Sequence, residues 1–518
     1  MAKSQKSDKV NQSIKASKRS KALMSAVVVV LILCILCFFI YITGVIPRLA
    51  TGTKILKTNA DGTTQVIENI SVVETNYHYH NLLNQYVQYG YMSSATDLQE
   101  VADPTTGKTY YQLILDQAAS EIMQIVILNQ AAEEAQFTQY SGAARMAQLQ
   151  LDNLRQTAEL QGYPSVDRYL AAMYGAGMTS RAYLQCVERE LLAKEFQQYV
   201  SQFMMNVTDE EIMASYEQDS SAFDQVDFSY HFFSGEDNGD GTYDKTQALA
   251  DAQEVIDNAH DADSFKEALI DVMGDEEAEA AGFTEDYDPS YGEGYNLTSA
   301  AYMGEEVATF LFTDGDEGDG TVIETDTGAF AIFLHKRYVD DTTTATYRSL
   351  TLNNPTNTDY DATPEEVQAS FDELVARAQG LAASATDPLS FMKIVKENSE
   401  SNYDVVYGGY NTGITADAYN IEPAEGEELT AQQNNLIAFG QWLFAEERQP
   451  GDTYISQSPD KRSVTIYYFE GFSPAWVSNA RQQRNQELAQ AWADMKLAEG
   501  NPTYAIAYEL VRRLSYAV

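Results

Sequence analysis

Cysteine, histidine and basic residues are scarce in this chain of 518 residues. Of its three cysteines, only Cys186 lies outside the apolar run at residues 22–46, so the rest of the chain can form no internal disulfide. Lys and Arg number 33 against 77 Asp and Glu, which gives a net charge of −44. A surface with this charge repels nucleic acid and anionic lipid head groups, so neither is expected to bind it.

Motifs for hydrolysis and nucleotide binding are also absent, because the chain contains no G-x-S-x-G, H-E-x-x-H or P-loop pattern. The acidic segment 236–241 alternates oxygen-bearing side chains before a glycine, as calcium loops do, but Gln247 stands where a bidentate Glu is needed. We therefore predict no metal site and no cofactor. Whether the acidic loops bind calcium stays open at this stage.

The one long apolar run, residues 22–46, holds 25 positions without a charge. Seven Lys and Arg against the single Asp8 precede it in residues 1–21. This pattern predicts a basic cytoplasmic tail, a single transmembrane helix that anchors the chain in the cell membrane, and an extracytoplasmic location for everything after Arg48. A cleavable signal peptide is the alternative, although its apolar region is usually shorter.

A helical pattern follows and dominates residues 51–217 after a short predicted hairpin. Apolar residues recur at three- and four-residue steps in two long stretches, around Leu113 to Leu128 and around Leu184 to Val200. Thr208 with Glu211 three residues later predicts a capping box that opens another helix. Five tyrosines lie within residues 77–91, and they are either core residues or a surface for loose contact with other polypeptides.

The next part of the chain reads as an internal repeat. Residues 226–339, which we call module 1, predict a strand, helices, a glycine loop and two final strands. Residues 346–472, which we call module 2, repeat that order in a degenerate form. A last helical segment, residues 474–518, is expected to pack on the helical domain as C-terminal helices.

These patterns resemble the PrsA/SurA-type extracytoplasmic foldases, which carry parvulin modules. The resemblance depends on the helical stretch that ends in VTDEEIMASYEQDSSAFDQV, on the strand FSYHFF, on the loops YGEGY and YGGYNTG, and on the final strand pairs. It implies an α+β multidomain fold with an N-terminal transmembrane helix, a SurA-like helical chaperone domain, two parvulin-like α+β modules and C-terminal helices.

The resemblance also implies prolyl isomerisation, a rotation with a barrier of about 20 kcal/mol that needs neither a cofactor nor proton transfer. His231 and Asp286 match two of the family's catalytic positions in module 1, but Phe330 stands where the family has a second histidine. The candidate residues for holding the proline ring are aromatic: Phe310, Phe312, Phe330 and Tyr295. In module 2, Arg348 takes the position assigned to His231, and the module contains no histidine.

We therefore predict a membrane-anchored chaperone or foldase that binds unfolded, newly exported polypeptides, with weak or vestigial isomerase activity in module 1. A fully active prolyl isomerase is one alternative, and a non-enzymatic cell-wall or adhesion scaffold is another. The oligomeric state and the identity of the clients stay open.

Overall fold

The chain folds into a mixed α+β structure in the computed structural model. The structure describes residues 24–38, 44–59, 61–93, 97–205, 207–358, 361–423, 428–498 and 500–504. The helices are α1 (24–38), α2 (Val45–Leu49), α3 (Val72–Gln88), α4 (Tyr110–Glu134), α5 (Ala143–Leu160), α6 (Val166–Tyr174), α7 (Ser180–Tyr199), α8 (Asp209–Gln218), α9 (Thr246–Asn258), α10 (Ala262–Met273), α11 (Asp275–Ala280), α12 (Leu297–Ala301), α13 (Glu305–Thr309), α14 (Pro364–Ser384), α15 (Pro388–Asn398), α16 (Asn402–Tyr407), α17 (Ala431–Leu443) and α18 (Ala475–Leu497).

The strands are mostly gathered into three sheets, with two short ribbons beside them. They are β1 (Thr51–Thr58), β2 (Thr64–Ser71), β3 (Val101–Asp103), β4 (Lys108–Thr109), β5 (Gln225–Ser234), β6 (Glu236–Asp237), β7 (Tyr243–Asp244), β8 (Tyr291–Asn296), β9 (Gly320–Glu324), β10 (Gly328–Tyr338), β11 (Thr343–Asn353), β12 (Tyr410–Thr415), β13 (Thr453–Gln457), β14 (Ser463–Pro474) and β15 (Gly500–Tyr504).

The prediction of a transmembrane helix over residues 22–46 is wrong. Within the part of the chain that the structure describes, no helix is both long enough and apolar enough to cross a membrane. The described part of the predicted span includes helix α1 at 24–38. The two ends of the predicted span, 22–23 and 39–43, and the predicted tail at 1–21 lie outside the described residues.

Helices α3 to α8, with the β1–β2 hairpin, form the helical domain. Its core is built from the apolar faces of α3, α5, α6 and α7, and includes the buried residues Tyr77, Leu151, Leu170 and Leu191. The capping box predicted at the start of α8 is confirmed, because the Thr208 hydroxyl accepts the Glu211 backbone N–H while the Glu211 carboxylate accepts the Thr208 N–H. This capping box fixes where α8 begins.

The end of the chain returns to the helical domain. Helix α18 packs against α4 and α8, and its Trp492 ring contacts Phe196 of α7 with 5.9 Å between ring centroids. After α18 the chain forms strand β15, which pairs antiparallel with β1. Residues 505–518 of the predicted C-terminal helices lie outside the described residues. In the resulting sheet β1 lies between β15 and β2, and Ile55 of β1 pairs with Pro502 of β15.

Modules 1 and 2 contain four-stranded antiparallel sheets of the same design. The strand order is β8-β5-β10-β9 in module 1 and β12-β11-β14-β13 in module 2. In each, the first strand of the module lies beside the last, and the second strand of the module lies on the edge beyond the first. Both modules therefore arrange equivalent strands in one order, as an internal repeat would.

Each face of the module 1 sheet is covered by a different group of helices. Because successive side chains on a strand point to opposite faces, odd-numbered residues of β5 and β10 lie on one face of the sheet and even-numbered residues on the other. Ala329, Ala331 and Phe333 pack against α9, α10 and α11. Ile332 and Leu334 pack against α12, α13 and the π-helical turn that follows them.

A buried ion pair joins module 2 to the helical domain. Lys396 of α15 donates from Nζ to Glu195 Oε2 of α7 at 2.9 Å, and the two side chains are 1% and 0% exposed. Lys396 Nζ also donates to the Val405 carbonyl at 2.8 Å, and the Gly142 N–H donates to Glu195 Oε2 at 3.1 Å. Burial raises the pKa of Glu195 and lowers that of Lys396, and the charge of each partner opposes this.

Removing one partner of this pair should destabilise the fold strongly. Lys396→Met leaves the Glu195 carboxylate buried without a cation, and we expect it to lower the free energy of unfolding by about 3 to 5 kcal/mol. The double variant Glu195→Gln, Lys396→Met should recover most of this loss, because no buried charge then remains. Urea unfolding followed by tryptophan fluorescence measures both, with Arg484→Met in the half-exposed Arg484–Glu487 pair as the control. A loss below about 1 kcal/mol in Lys396→Met would contradict the assignment.

Candidate functional site

The two predicted catalytic residues of module 1 differ in burial and lie on different elements. His231 lies on β5 opposite Ala331, on the face covered by α9 to α11, and its ring packs edge-on against Phe233 with 4.6 Å between centroids. Burial lowers the pKa of His231, with Glu277 as the opposing carboxylate. Asp286 is exposed in the loop before β8.

The four predicted substrate-binding aromatics lie together, but on the opposite face of the sheet from His231. Phe312 is 4% exposed, and Phe310, Phe330 and Tyr295 pack partly buried against the same core cluster. Phe330 pairs across the strands with Phe232, so its face of β5 carries even-numbered residues rather than His231. The sheet therefore separates the predicted catalytic histidine from the predicted proline pocket.

The polar group on the pocket face is Tyr230, which sequence reasoning missed. It packs partly buried against the same cluster, at 5.3 Å between its ring and that of Phe228. Burial raises the pKa of its hydroxyl, and the hydrogen bond with Tyr295 acts in the same direction. The even spacing of Phe228, Tyr230 and Phe232 would have been the signal in the sequence.

A second polar cluster lies on the face of His231, where β10 carries a β-bulge. The bulge falls at His335, and its Nε2 lies 2.8 Å from Ser229 Oγ. The ring of Tyr291 stacks on His335 with 5.5 Å between centroids. Burial lowers the pKa of His335, and carboxylates including Asp227 oppose this shift. Nothing in the sequence brought these three residues together.

This cluster lacks the geometry of a hydrolase, although it pairs a serine with a histidine. A nucleophile must reach its substrate, and Ser229 is 0% exposed beneath its neighbours. The hydroxyl and the imidazole instead satisfy each other in a half-buried position.

Strand register shows that the same three positions recur in module 2. Ser229 pairs with Tyr291 in module 1, and Arg348 pairs with Tyr410 in module 2. The residue at the bulge of the last strand is His335 in one module and Glu470 in the other. Arg348 therefore corresponds to Ser229, and the sequence-based assignment of Arg348 to the position of His231 was wrong by two residues. Comparison of the two strand sequences alone could not give this correspondence, because it is defined by strand pairing and by the position of each bulge.

Arg348 uses this position to hold module 2 on the helical domain. Its side chain is 1% exposed, and Nε donates to Glu470 Oε1 at 2.5 Å. The other guanidinium nitrogens donate to the Gly408 carbonyl at 3.0 Å and to Gln202 Oε1, beyond the end of α7, at 3.1 Å. The guanidinium also lies over the ring of Phe203 at 5.0 Å. A cleft of about 530 Å³ opens beside these groups, between module 2, the end of α7 and α18.

The acidic loop at 236–241 forms a tight ribbon turn. Asp237 accepts the Gly239 N–H at 2.8 Å, and Asp240 accepts both the N–H and the hydroxyl of Thr242 at 3.0 and 2.6 Å. Its carboxylates thus already serve the turn itself. In the described part of the chain, no three His, Cys, Asp or Glu side chains converge on a point that a metal ion could occupy.

Comparison with known proteins adds no assignment to this geometry. The chain matches no protein-family model, and it has no significant match among curated proteins.

Adding the second histidine of the parvulin pattern should not create an isomerase. We expect Phe330→His to leave the isomerisation rate of a short Ala-Pro peptide at background, because the new imidazole would lie across the sheet from His231. The double variant Tyr230→His, Phe330→His places both imidazoles on one face, and we expect it to raise the isomerisation rate above that of the single variant. A His231-dependent rise in the single variant, measured by NMR exchange, would contradict this account.

Equivalent positions in the two modules should differ in their contribution to stability. Arg348→Ala breaks a buried charged network and should lower the free energy of unfolding by about 3 kcal/mol. Ser229→Ala removes one hydrogen bond and should cost about 1 kcal/mol. Denaturant unfolding gives both values, and hydrogen exchange should show faster opening near residues 200–204 in Arg348→Ala only. Equal losses in the two variants would argue against a docking role for Arg348.

Proposed function

We propose that this protein is a chaperone that binds apolar segments of unfolded polypeptides, and that module 1 contributes little or no isomerase activity. The observation that carries the proposal is an exposed aromatic patch on the helical domain, formed by Tyr86, Tyr89 and Tyr91. Tyr89 and Tyr91 are 70% and 72% exposed. Their rings lie in contact, with 6.4 Å between centroids, and Tyr86 lies 5.7 Å from Tyr91.

The tyrosine-rich segment thus divides into a core part and a surface part. Tyr77 and Tyr79 are 5% and 0% exposed and belong to the core. Tyr86 connects the two parts, because it packs against the core and donates its hydroxyl to Gln117 Oε1 of α4 at 2.8 Å. A firm base beneath exposed rings suits binding of varied apolar sequences, since tyrosine offers a large face at small entropic cost.

Two further features support a binding role over catalysis. The net charge of −44 keeps such a protein soluble while it holds apolar clients, and it favours clients with basic segments. The separation of His231 from Phe330 by the sheet leaves the family's catalytic pattern unassembled in module 1. The predicted membrane anchor is not part of the proposal, and the extracytoplasmic location stays a prediction.

Aggregation suppression tests the proposal directly. The double variant Tyr89→Ser, Tyr91→Ser should need roughly five to ten times more protein than the wild type to keep a denatured client such as reduced lysozyme in solution, since about 1 kcal/mol of ring contact is lost. Tyr302→Ser is the matched control, because Tyr302 is 89% exposed on module 1 and belongs to no aromatic patch among the described residues.

The outcomes separate the three candidate functions. Suppression by the wild type that falls in the double variant alone supports the chaperone. Catalysed isomerisation at the rate of a two-histidine parvulin would overturn the statement about module 1. Tight saturable binding to one folded partner, with no suppression of aggregation, would instead favour the scaffold.

A further inference from the structure

A cavity of about 320 Å³ lies where module 1 meets the C-terminal helix α18. Its wall on the side of module 1 contains Phe223 and Asp224, just before β5. The linker after β10 contributes Asp340, and α18 contributes Trp476 and Asn479. With residues 296–298 at the end of β8 and the start of α12, four separate parts of the chain build it, and it is distinct from the clusters around His231 and Arg348.

Asp224 is the unusual member of this cavity, because it is a carboxylate that is only 4% exposed. The Tyr216 hydroxyl donates to its Oδ1 at the long distance of 3.4 Å. Within the described ranges, neither Asp224 nor Asp340 forms an ion pair, and Asp340 accepts the Thr342 N–H at 3.0 Å. A carboxylate this deeply buried is normally paired with a cation or with several donors.

Aromatic rings stand beside the carboxylate. Trp476 lies 5.2 Å from the ring of Tyr216 and 6.0 Å from that of Phe223, centroid to centroid. Aromatic faces attract cations through their quadrupole, most strongly when the site excludes water. The cavity thus combines buried negative charge with aromatic walls, the combination that suits an organic cation.

The nearby basic side chains of α18 already have other partners. Arg481 pairs with Asp209 of α8, and Arg484 pairs with Glu487 one turn further along α18. Neither arginine therefore serves as a cation for Asp224, which leaves that place to a bound molecule.

We infer that this cavity binds the cationic side chain, lysine or arginine, of a polypeptide held by the protein. The inference rests on the proposed chaperone function and specifies its clients as chains with basic residues near apolar ones. The rim residues Asn479 and Gln483 are exposed, so a long side chain can enter from solvent with its aliphatic part along the rings.

Peptide binding to the full chain tests this inference. The probe is a fluorescein-labelled peptide of Gly, Ser and Leu with one central Lys, compared with the same peptide carrying Gln there. We expect the wild type to bind the Lys peptide about tenfold more tightly, and Asp224→Asn to abolish that preference while binding of the Gln peptide stays the same. Asp271→Asn removes the same charge from an exposed site on α10 and should keep the preference.

A second variant keeps the test decisive if Asp224→Asn fails to fold. Asn479→Lys places an internal cation at the rim, and we expect it to fill the cavity and remove the preference for the Lys peptide. Equal affinity for the two peptides in the folded wild type, or an unchanged preference in folded Asp224→Asn or Asn479→Lys, would overturn the inference. Aggregation suppression on the same samples reports the proposed function separately, because it depends on Tyr89 and Tyr91.

Discussion

The buried contact between Lys396 and Glu195 is the constraint on which the arrangement of the chain depends. A cation and a carboxylate that are both withdrawn from water are stable only while each faces the other and the remaining donors and acceptors are satisfied. The Val405 carbonyl accepts from Lys396 and the Gly142 N–H donates to Glu195 Oε2, and these groups belong to module 2 and to the helical domain respectively, whereas Glu195 Oε1 is buried without a hydrogen-bond partner among the described residues. Module 2 and the helical domain consequently cannot separate without exposing or orphaning a buried charge.

Arg348 extends the same principle at a second point of the interface. Its guanidinium donates to Glu470 of the module and to Gln202 beyond the end of α7. The buried cations Lys396 and Arg348 thus attach module 2 to the helical domain at two separate points. Module 1 carries Ser229 and His335 at the equivalent positions, and these satisfy each other without reaching another domain. At equivalent positions, module 2 therefore contacts the helical domain through Arg348, whereas the polar residues of module 1 contact only each other.

Local features of this fold could be predicted from the sequence, whereas features set by distant pairing could not. The capping box at Thr208, the long amphipathic helices and the repeated order of elements all depend on neighbours within a few residues. The face of the sheet on which a side chain such as His231 lies depends on strand register. A β-bulge shifts that register by one residue, and the amino-acid composition does not show where a bulge occurs. Glu195 and Lys396 are 201 residues apart, and nothing local indicates that they meet.

The pairing of β15 with β1 has a consequence for how the chain is made. Strand β1 begins at Thr51 and β15 ends at Tyr504, so the first sheet is completed only after both modules, which lie between these strands, have been synthesised. Modules 1 and 2 contain all the strands of their own sheets and can assemble earlier during synthesis. Among these three parts, the helical domain, which carries the exposed tyrosines, is then the last to close, because its sheet waits for a strand that is synthesised after both modules.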